Sequence, residues 1–533
     1  MGAAWLSGQA VFLSPDETAN AFFAKSFAAG NGLSIPEPLN IPLRGLIHPR
    51  SIVSVAGNLV PGGFVGWPVI LGFLAFLFGF TILPFIVPMF AALAVFAVYA
   101  ILCRLGSEHF AILSAALLAI HPAWWYYASR GFMPNVLFVS LAVFAVFILV
   151  TRPFRLTRFS AELNLIFAGA CLGLALFVRP SEVFLIVAAF AFGTWMFCQK
   201  AAWRSILIFC AASLVAFSPF FFFNAKLYGS PFTTGYTYRV TAVFSPFQGG
   251  IERGLPATPT FSASLLLRDR IERFLLPVFP FGTHPRAAAR VWAANAVDLY
   301  PWISALAFLG LFASQFRKDR SDDERKRWGK FFWIAAFVSV WLTVMYGSWT
   351  FHDNPDPSII TIGNSYARYW LPMFLLWTPF VARGFLFVVE WFPNRSRSFV
   401  VWCLFLVCVV LSARTAVFAK GDGLLDASAT LQQSSVVRDY AFSRTESDAV
   451  IVVDRADKIF FPTRRVIYPL RNETTYAAMP EIARVAPLYY YGISFPPQDM
   501  EYLNQEKLAG LGLKIEKVET FGIESLYRIS QRR

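Results

Sequence analysis

PFIVPMFAALAVFAVYAILC, residues 84–103, runs for twenty residues without a charge. A helix of that length rises about 30 Å, the thickness of the hydrocarbon core of a bilayer. It also satisfies its backbone polar groups internally, as lipid requires. Comparable runs lie near 109–127, 133–150, 162–178, 182–198, 204–223, 301–316, 331–347, 369–390 and 399–418. Several carry Pro or Gly, which membrane helices tolerate. The chain is therefore expected to be an α-helical polytopic membrane protein. Residues 3–13 are apolar but too short to span, and they lack the basic start and cleavage site of a signal peptide. They read as the exterior end of a first helix whose beginning is missing, which brings the expected total to about eleven helices with the first truncated.

Composition agrees. Of 533 residues, 57% are hydrophobic and 15% charged, with 58 Phe and a mean hydropathy of +0.55. Soluble domains carry roughly 25% charged residues, and a soluble core could not cover this much apolar surface. The net charge of +14 would suggest nucleic acid in a soluble protein. Here the basic residues sit in short clusters between apolar runs, the pattern that orients membrane helices. The six cysteines lie in or beside apolar runs, with no CxxC spacing, and read as small buried or lipid-facing residues rather than a disulfide framework.

The clusters give the spans a direction. Arg152, Arg155 and Arg158 form one, Lys200 and Arg204 another. Arg317, Lys318, Arg320, Arg325, Lys326, Arg327 and Lys330 form the richest, and Arg395 and Arg397 the last. With the spans above, all of them fall on the cytoplasmic side. Loops 14–83, 224–300 and 348–368 then lie outside, as does the tail from about residue 420. Residues 64–80 would break this alternation if they crossed fully, so they are expected to form an interfacial or re-entrant helix pair. In the tail, AVIVVD (449–454), RVIYPL (465–470), PLYYYGI (487–493), LKIEKVE (513–519) and SLYRIS (525–530) read as strands, with helical patterns near 474–485 and 498–510. The expected organisation is a transmembrane domain over 1–419 and a small exterior (periplasmic) α/β domain over 420–533.

Candidate chemistry gathers on the exterior side. SPDETANAFFAKSFA (14–28) places the adjacent acids Asp16 and Glu17 where a helix leaves the membrane. Two readings stand: Ser14 or Asp16 caps the helix with acidic charge at its start, or a carboxylate held near a desolvated pocket acts as general base. LIHPRSIVSVAGNLVPGGFVGWP (46–68) brings His48 and Arg50 into one polar stretch, as acceptor-binding groups or as ordinary loop residues at the headgroups. Arg130 follows HPAWWYYAS, Arg179 lies in the turn LFVRPSE, and Arg368 and Tyr369 open a span in NSYARYWLP. A charge beside the hydrocarbon usually has a partner or a role. Arg is suited to phosphate through bidentate, charge-assisted bonds. Tyr228, Tyr236 and Tyr238, in NAKLYGSPFTTGYTY, suit sugar stacking or the aromatic belt at the interface. His48, His121, His284 and His352, with Asp353 and Asp356, show no metal-binding spacing. A divalent ion on Asp16 or Glu17 with a distant His stays open as an alternative.

These stretches, in their order and sidedness, resemble the GT-C superfamily of integral-membrane glycosyltransferases, in the style of protein mannosyltransferases and the aminoarabinose transferase of lipid A modification. The resemblance rests on SPDETANAFFAKSFA, on HPAWWYYASRGFMPN and the span after it, on GLALFVRPSEVF, and on NAKLYGSPFTTGY with NSYARYWLP, spread over residues 14–384. It implies transfer of a sugar from a polyprenyl-phosphate carrier to a lipid, glycan or protein acceptor on the exterior face of the plasma (inner) membrane. Asp16 would then be the catalytic carboxylate and Glu17 its assistant at acceptor or metal. Arg130, Arg179, Arg368 and Tyr369 would hold the carrier phosphate, with His48, Arg50 and Tyr236 at the acceptor or its loop. The competing reading is a transporter or flippase of lipid-linked sugars. It is disfavoured by the lack of an inverted repeat and of a charged residue near the middle of a span.

Overall fold

Each of the ten apolar runs singled out as full spans is mostly helical over its described residues in the computed structural model, which describes residues 11–154, 160–197, 202–238, 278–316, 322–349, 360–364 and 366–532. Among the described residues, six helices are long and apolar enough to cross a membrane: Phe80–Leu102, Ser160–Val178, Trp203–Tyr228, Asp322–Gly347, Leu371–Glu390 and Arg397–Ala416. Two bent pairs would raise the number to eight. Glu108–Ala119 and Pro122–Ala128 meet at 57°, and Pro285–Asp298 and Pro301–Ser314 at 101°. Both breaks have a proline at the start of the second member, where the missing N–H and the ring end the preceding ladder. The other two predicted spans are the shorter apolar helices Asn135–Thr151 and Pro180–Met196. The chain is a multi-pass membrane protein. Most of residues 3–13, part of loop 224–300, Arg155, Arg158, Lys200, Arg317, Lys318 and Arg320 lie outside the described residues, as do His352, Asp353 and Asp356.

By contacts the chain divides into two compact units. One comprises Phe85–Ser218 and Pro256–Ala427 and holds most of the long helices. Lipid removes the hydrophobic drive between helices, so close backbone packing has to supply cohesion. Two glycines show how close it becomes. A Cβ on Gly173 would lie 2.1 Å from the carbonyl oxygen of Ser213, and one on Gly384 would lie 1.9 Å from that of Leu306. Neither oxygen can move without its helix.

The other unit gathers Met1–Pro84, Pro219–Leu255 and Ser428–Arg533. Its N-terminal part carries the Pro15–Ala28 helix and a small antiparallel sheet in the order β1-β3-β2, made of Ile35–Pro36, Ile52–Val55 and Asn58–Pro61 as β1 to β3. Residues 64–80 form one helix, Gly66–Phe78, and a short 3-10 turn rather than the expected pair. Its Trp67, Leu71 and Ala75 are buried, while Phe73, Phe76, Leu77 and Phe78 are exposed. The helix ends at Gly79, whose φ of 81° breaks the ladder.

The tail forms the strands expected of it. β4 (Val450–Val453), β5 (Arg465–Ile467), β6 (Leu488–Ile493), β7 (Leu513–Phe521) and β8 (Glu524–Gln531) stand in the order β5-β4-β6-β8-β7. β4 runs parallel to β5 and β6, and β8 antiparallel to β6 and β7. Val450, Val452, Ile467, Met479, Ile482, Leu488 and Tyr527 form its core, joined by Leu43 and Ile47 from far upstream. The N-terminal stretch thus completes the hydrophobic core of the C-terminal sheet.

The three consecutive tyrosines of β6 each donate to a different carboxylate. Tyr489 reaches Glu446 at 2.7 Å, Tyr490 reaches Asp454 at 3.0 Å and Tyr491 reaches Glu524 at 2.6 Å. Burial and then the carboxylates hold these phenols protonated, Tyr489 up to about 12 and the other two higher still.

Two tests follow from this packing. Gly173→Val and Gly384→Val should each cost about 1–3 kcal/mol or more through forced separation of helices. Gly193→Val, where a Cβ meets only Ile334 Cδ1 at 3.7 Å, should be tolerated; thermal unfolding in detergent separates the cases. For the tyrosines, a folded pKa above the unfolded value of about 10 means stability intact below pH 10 and falling as pH rises beyond it. Alkaline titration should therefore show phenolate absorbance from these residues arising together with loss of near-ultraviolet ellipticity.

Candidate functional site

The Pro15–Ala28 helix is started by a capping box. The Glu17 backbone N–H donates to Ser14 Oγ at 3.2 Å, and the Ser14 backbone N–H donates to Glu17 Oε2 at 3.2 Å. Glu17 is buried in this role. Ser14, not Asp16, is the cap. Asp16, one position earlier, is only half-buried, and its Oδ1 accepts from Ser51 Oγ at 2.5 Å.

Ser51 sits in the left-handed region at φ 62°, an uncommon conformation for a residue with a side chain. Its carbonyl accepts from the Gly62 N–H at 2.9 Å, which ties it to the Pro61-Gly62-Gly63 turn. Tyr228 donates to the Pro61 carbonyl at 2.5 Å. Tyr236 packs edge-on against Phe64, with ring centroids 4.8 Å apart. Residues 14–17 thus meet residues 50–64 through Asp16 and Ser51, and residues 228–236 pack on the far end of that stretch, at Pro61 and Phe64. His48 is half-buried, with Nδ1 3.0 Å from the Pro49 carbonyl. Arg50 forms an ion pair with Asp457 at 2.7 Å, a partner that the sequence left unnamed.

In the helical unit, Arg179, Arg368 and Tyr369 share one cluster. The Arg179 Nη2 donates to Glu182 at 3.0 Å and to the Tyr346 hydroxyl at 2.9 Å. Tyr346 in turn donates to Glu182. Arg179 and Arg368 lie 5.3 and 4.8 Å from the centre of the Tyr369 ring, which stacks on Tyr346 at 4.5 Å. Arg179 and Glu182 are both buried. Glu182 is a participant that sequence reasoning missed. Its only signal was its position three residues after Arg179, within LFVRPSE.

Arg130 belongs to a second cluster. It donates to the Tyr126 hydroxyl at 3.1 Å. Its charge also acts on Asp422, which accepts from Thr361 and from the Gly363 N–H at 2.8 Å. Burial pushes the Asp422 carboxyl above its ordinary range, although these donors and Arg130 pull the other way. Arg383 corrects the expectation that no charged residue lies near the middle of a span. It is buried within the Leu371–Glu390 helix, 4.7 Å from the Trp328 ring and 5.3 Å from that of Phe110. Aromatic faces offset part of its burial. Among the described residues, no three His, Cys, Asp or Glu side chains come together to hold a metal ion.

Against solved structures, the chain matches ArnT from Cupriavidus metallidurans bound to undecaprenyl phosphate, with a TM-score of 0.51, over 99% of this chain and 96% of that one. The chain has the ArnT fold. At 11% identity the likeness is one of fold, and it agrees with the helical membrane architecture expected from the sequence. The apo state of ArnT from the same organism gives a TM-score of 0.49 at 12% identity, over 99% and 96% of the two chains. The Archaeoglobus fulgidus oligosaccharyltransferase in complex with Zn and sulfate gives 0.48 at 14% identity, over 94% of this chain and 65% of that one. No family model and no curated protein matches the sequence.

The buried Arg179–Glu182 pair makes a direct prediction. Glu182→Ala should destabilise the protein by about 3–5 kcal/mol, because it strands a buried guanidinium. The double variant R179M/E182L should recover most of that loss. Thermal unfolding in detergent measures both.

Proposed function

We propose that this protein is a membrane glycosyltransferase that moves a sugar from a polyprenyl-phosphate carrier to a lipid, glycan or protein acceptor at the exterior face of the plasma membrane. The observation that carries the reading is Asp16. It is a carboxylate on the first turn of a helix, half-buried, with one oxygen fixed by Ser51. The fold supports it: the ArnT structure that this chain resembles holds undecaprenyl phosphate. Long apolar helices offer a polyprenyl tail the surroundings it needs.

In this mechanism the acceptor hydroxyl loses its proton to the Asp16 carboxylate as its oxygen bonds to the anomeric carbon. The bond from that carbon to the phosphate oxygen breaks, and polyprenyl phosphate leaves with the electron pair. Arg130, Arg179, Arg368 and Tyr369 are assigned to the departing phosphate, where preorganised donors lower the barrier. Arg179 arrives already oriented by Glu182 and Tyr346. Glu17 is assigned to the helix start rather than to the reaction, and Tyr236 and His48 to the acceptor side.

Protein in nanodiscs, supplied with undecaprenyl-phosphate-linked hexoses and pentoses and with envelope lipid or peptide acceptors, should release undecaprenyl phosphate and glycosylate an acceptor. Asp16→Asn should lower the turnover about 10²–10⁴-fold while carrier binding and thermal stability hold. Movement of the lipid-linked sugar across the bilayer without any transfer would instead establish the transporter reading.

A further inference from the structure

The segment Asp457–Phe461, between strands β4 and β5, reaches Asp16 from two directions. On one side, the fully buried Asp457 carboxylate accepts three bonds from Arg50: from the backbone N–H at 2.8 Å, from Nε at 3.0 Å and from Nη2 at 2.7 Å. Nη2 also donates to the Arg455 carbonyl at 2.7 Å. Backbone and side chain of residue 50 are therefore both fixed. The next residue is Ser51, with its left-handed backbone and its hydroxyl on Asp16. A residue with a Cβ holds that conformation only where its surroundings impose it, and the Asp457–Arg50 clamp adjoins it directly.

On the other side, Lys458 donates from Nζ to the Leu13 carbonyl at 2.6 Å, just before the helix that carries Asp16. Phe461 packs edge-on against Phe22 of that helix, with ring centroids 4.8 Å apart. One short C-terminal segment thus holds both the helix that bears Asp16 and the loop that supplies its hydrogen-bond donor. A second ion pair, Glu37 with Arg465 at 3.0 Å, also joins the first loop to the C-terminal sheet, but it does not lead to Asp16.

We infer that Asp457, Arg50 and Ser51 are positioning residues for the Asp16 carboxylate, and that the C-terminal domain serves the reaction by presenting this clamp. The inference rests on the glycosyltransferase reading for what Asp16 does, and on the contacts above for how it is held. Displacement of a reacting group by about 1 Å can lower a rate about 10²-fold, so loosening the clamp should act on turnover more than on binding.

The test uses the full chain in nanodiscs and two readouts, sugar transfer and hydrogen exchange. Asp457→Ala should lower kcat about tenfold or more with KM for the polyprenyl-phosphate sugar nearly unchanged. It should also raise exchange at residues 48–55 and 13–18 while the rest of the C-terminal sheet stays protected. Asp457→Asn, which keeps an acceptor for the Arg50 backbone N–H, should restore part of both. Ser51→Gly, which suits the backbone and removes the hydroxyl, should fold normally and still lower kcat. Glu37→Ala should leave kcat unchanged. If Asp457→Ala leaves exchange around Ser51 and Asp16 unaltered, or if Glu37→Ala lowers kcat as much as Asp457→Ala does, the positioning inference is overturned. If exchange rises as expected but the wild-type chain transfers no sugar, the clamp stands and the glycosyltransferase reading falls.

Discussion

A bilayer offers the backbone no hydrogen-bond partners, and most of this chain is organised by that fact. Residues 84–103 have to be helical because no other local structure satisfies twenty consecutive amides within one segment. The same solvent removes the usual reason for helices to associate, since Phe and Leu are as content against lipid as against each other. Contact between helices then depends on how closely the backbones approach. Gly173 and Gly384 mark places where another helix's carbonyl occupies the space a side chain would need. The exposed Phe, Trp and Leu along many of the helices follow from the same constraint. They would be a liability in water, and in a membrane they are the expected surface.

Charge in such surroundings is tolerated only with local compensation, and three buried arginines obtain it differently. Arg179 has a carboxylate and a phenol. Arg130 has the Tyr126 hydroxyl and feels the charge of Asp422. Arg383 lies close to two aromatic faces. An arginine already paired with an acid is held in one rotamer with its charge partly offset. It is better placed to orient a ligand than to attract one from a distance. Arg368 shares the Tyr369 ring with Arg179.

The helices were legible because lipid enforces a simple rule on composition, and the C-terminal strands because apolar and aromatic runs between turns are a local signal. The partners were not legible. Arg50 read equally well as an acceptor group or an ordinary loop residue, and its partner Asp457 lies 407 positions away. Asp422 and Thr361 meet across 61 positions. Ser51 gave no hint of its left-handed backbone, because serine is compatible with most loop conformations. Pairings of this kind are set by tertiary packing, and a single sequence carries no periodicity that reports them. The bends at Pro122 and Pro301 were visible as prolines, but proline alone does not say whether a span kinks or breaks.

Asp16 and Glu17 show how finely position divides labour between identical chemistry. Both are carboxylates at the start of one helix, where the dipole favours negative charge. Consecutive helical residues point about 100° apart. Glu17, at the third helical position, reaches back to Ser14 and closes the capping box. That geometry commits it to the helix end and buries it. Asp16, at the second position, has no such reach, and its carboxylate turns instead toward Ser51 in the following loop. A helix that began one residue earlier would put Asp16, not Glu17, at the third position. Where the helix begins therefore decides which carboxylate closes the capping box and which turns to the loop. Ser14, Pro15 and Lys458 fix it together: the first by accepting the Glu17 N–H, the second by taking the first helical position with φ already set, and the third by holding the Leu13 carbonyl.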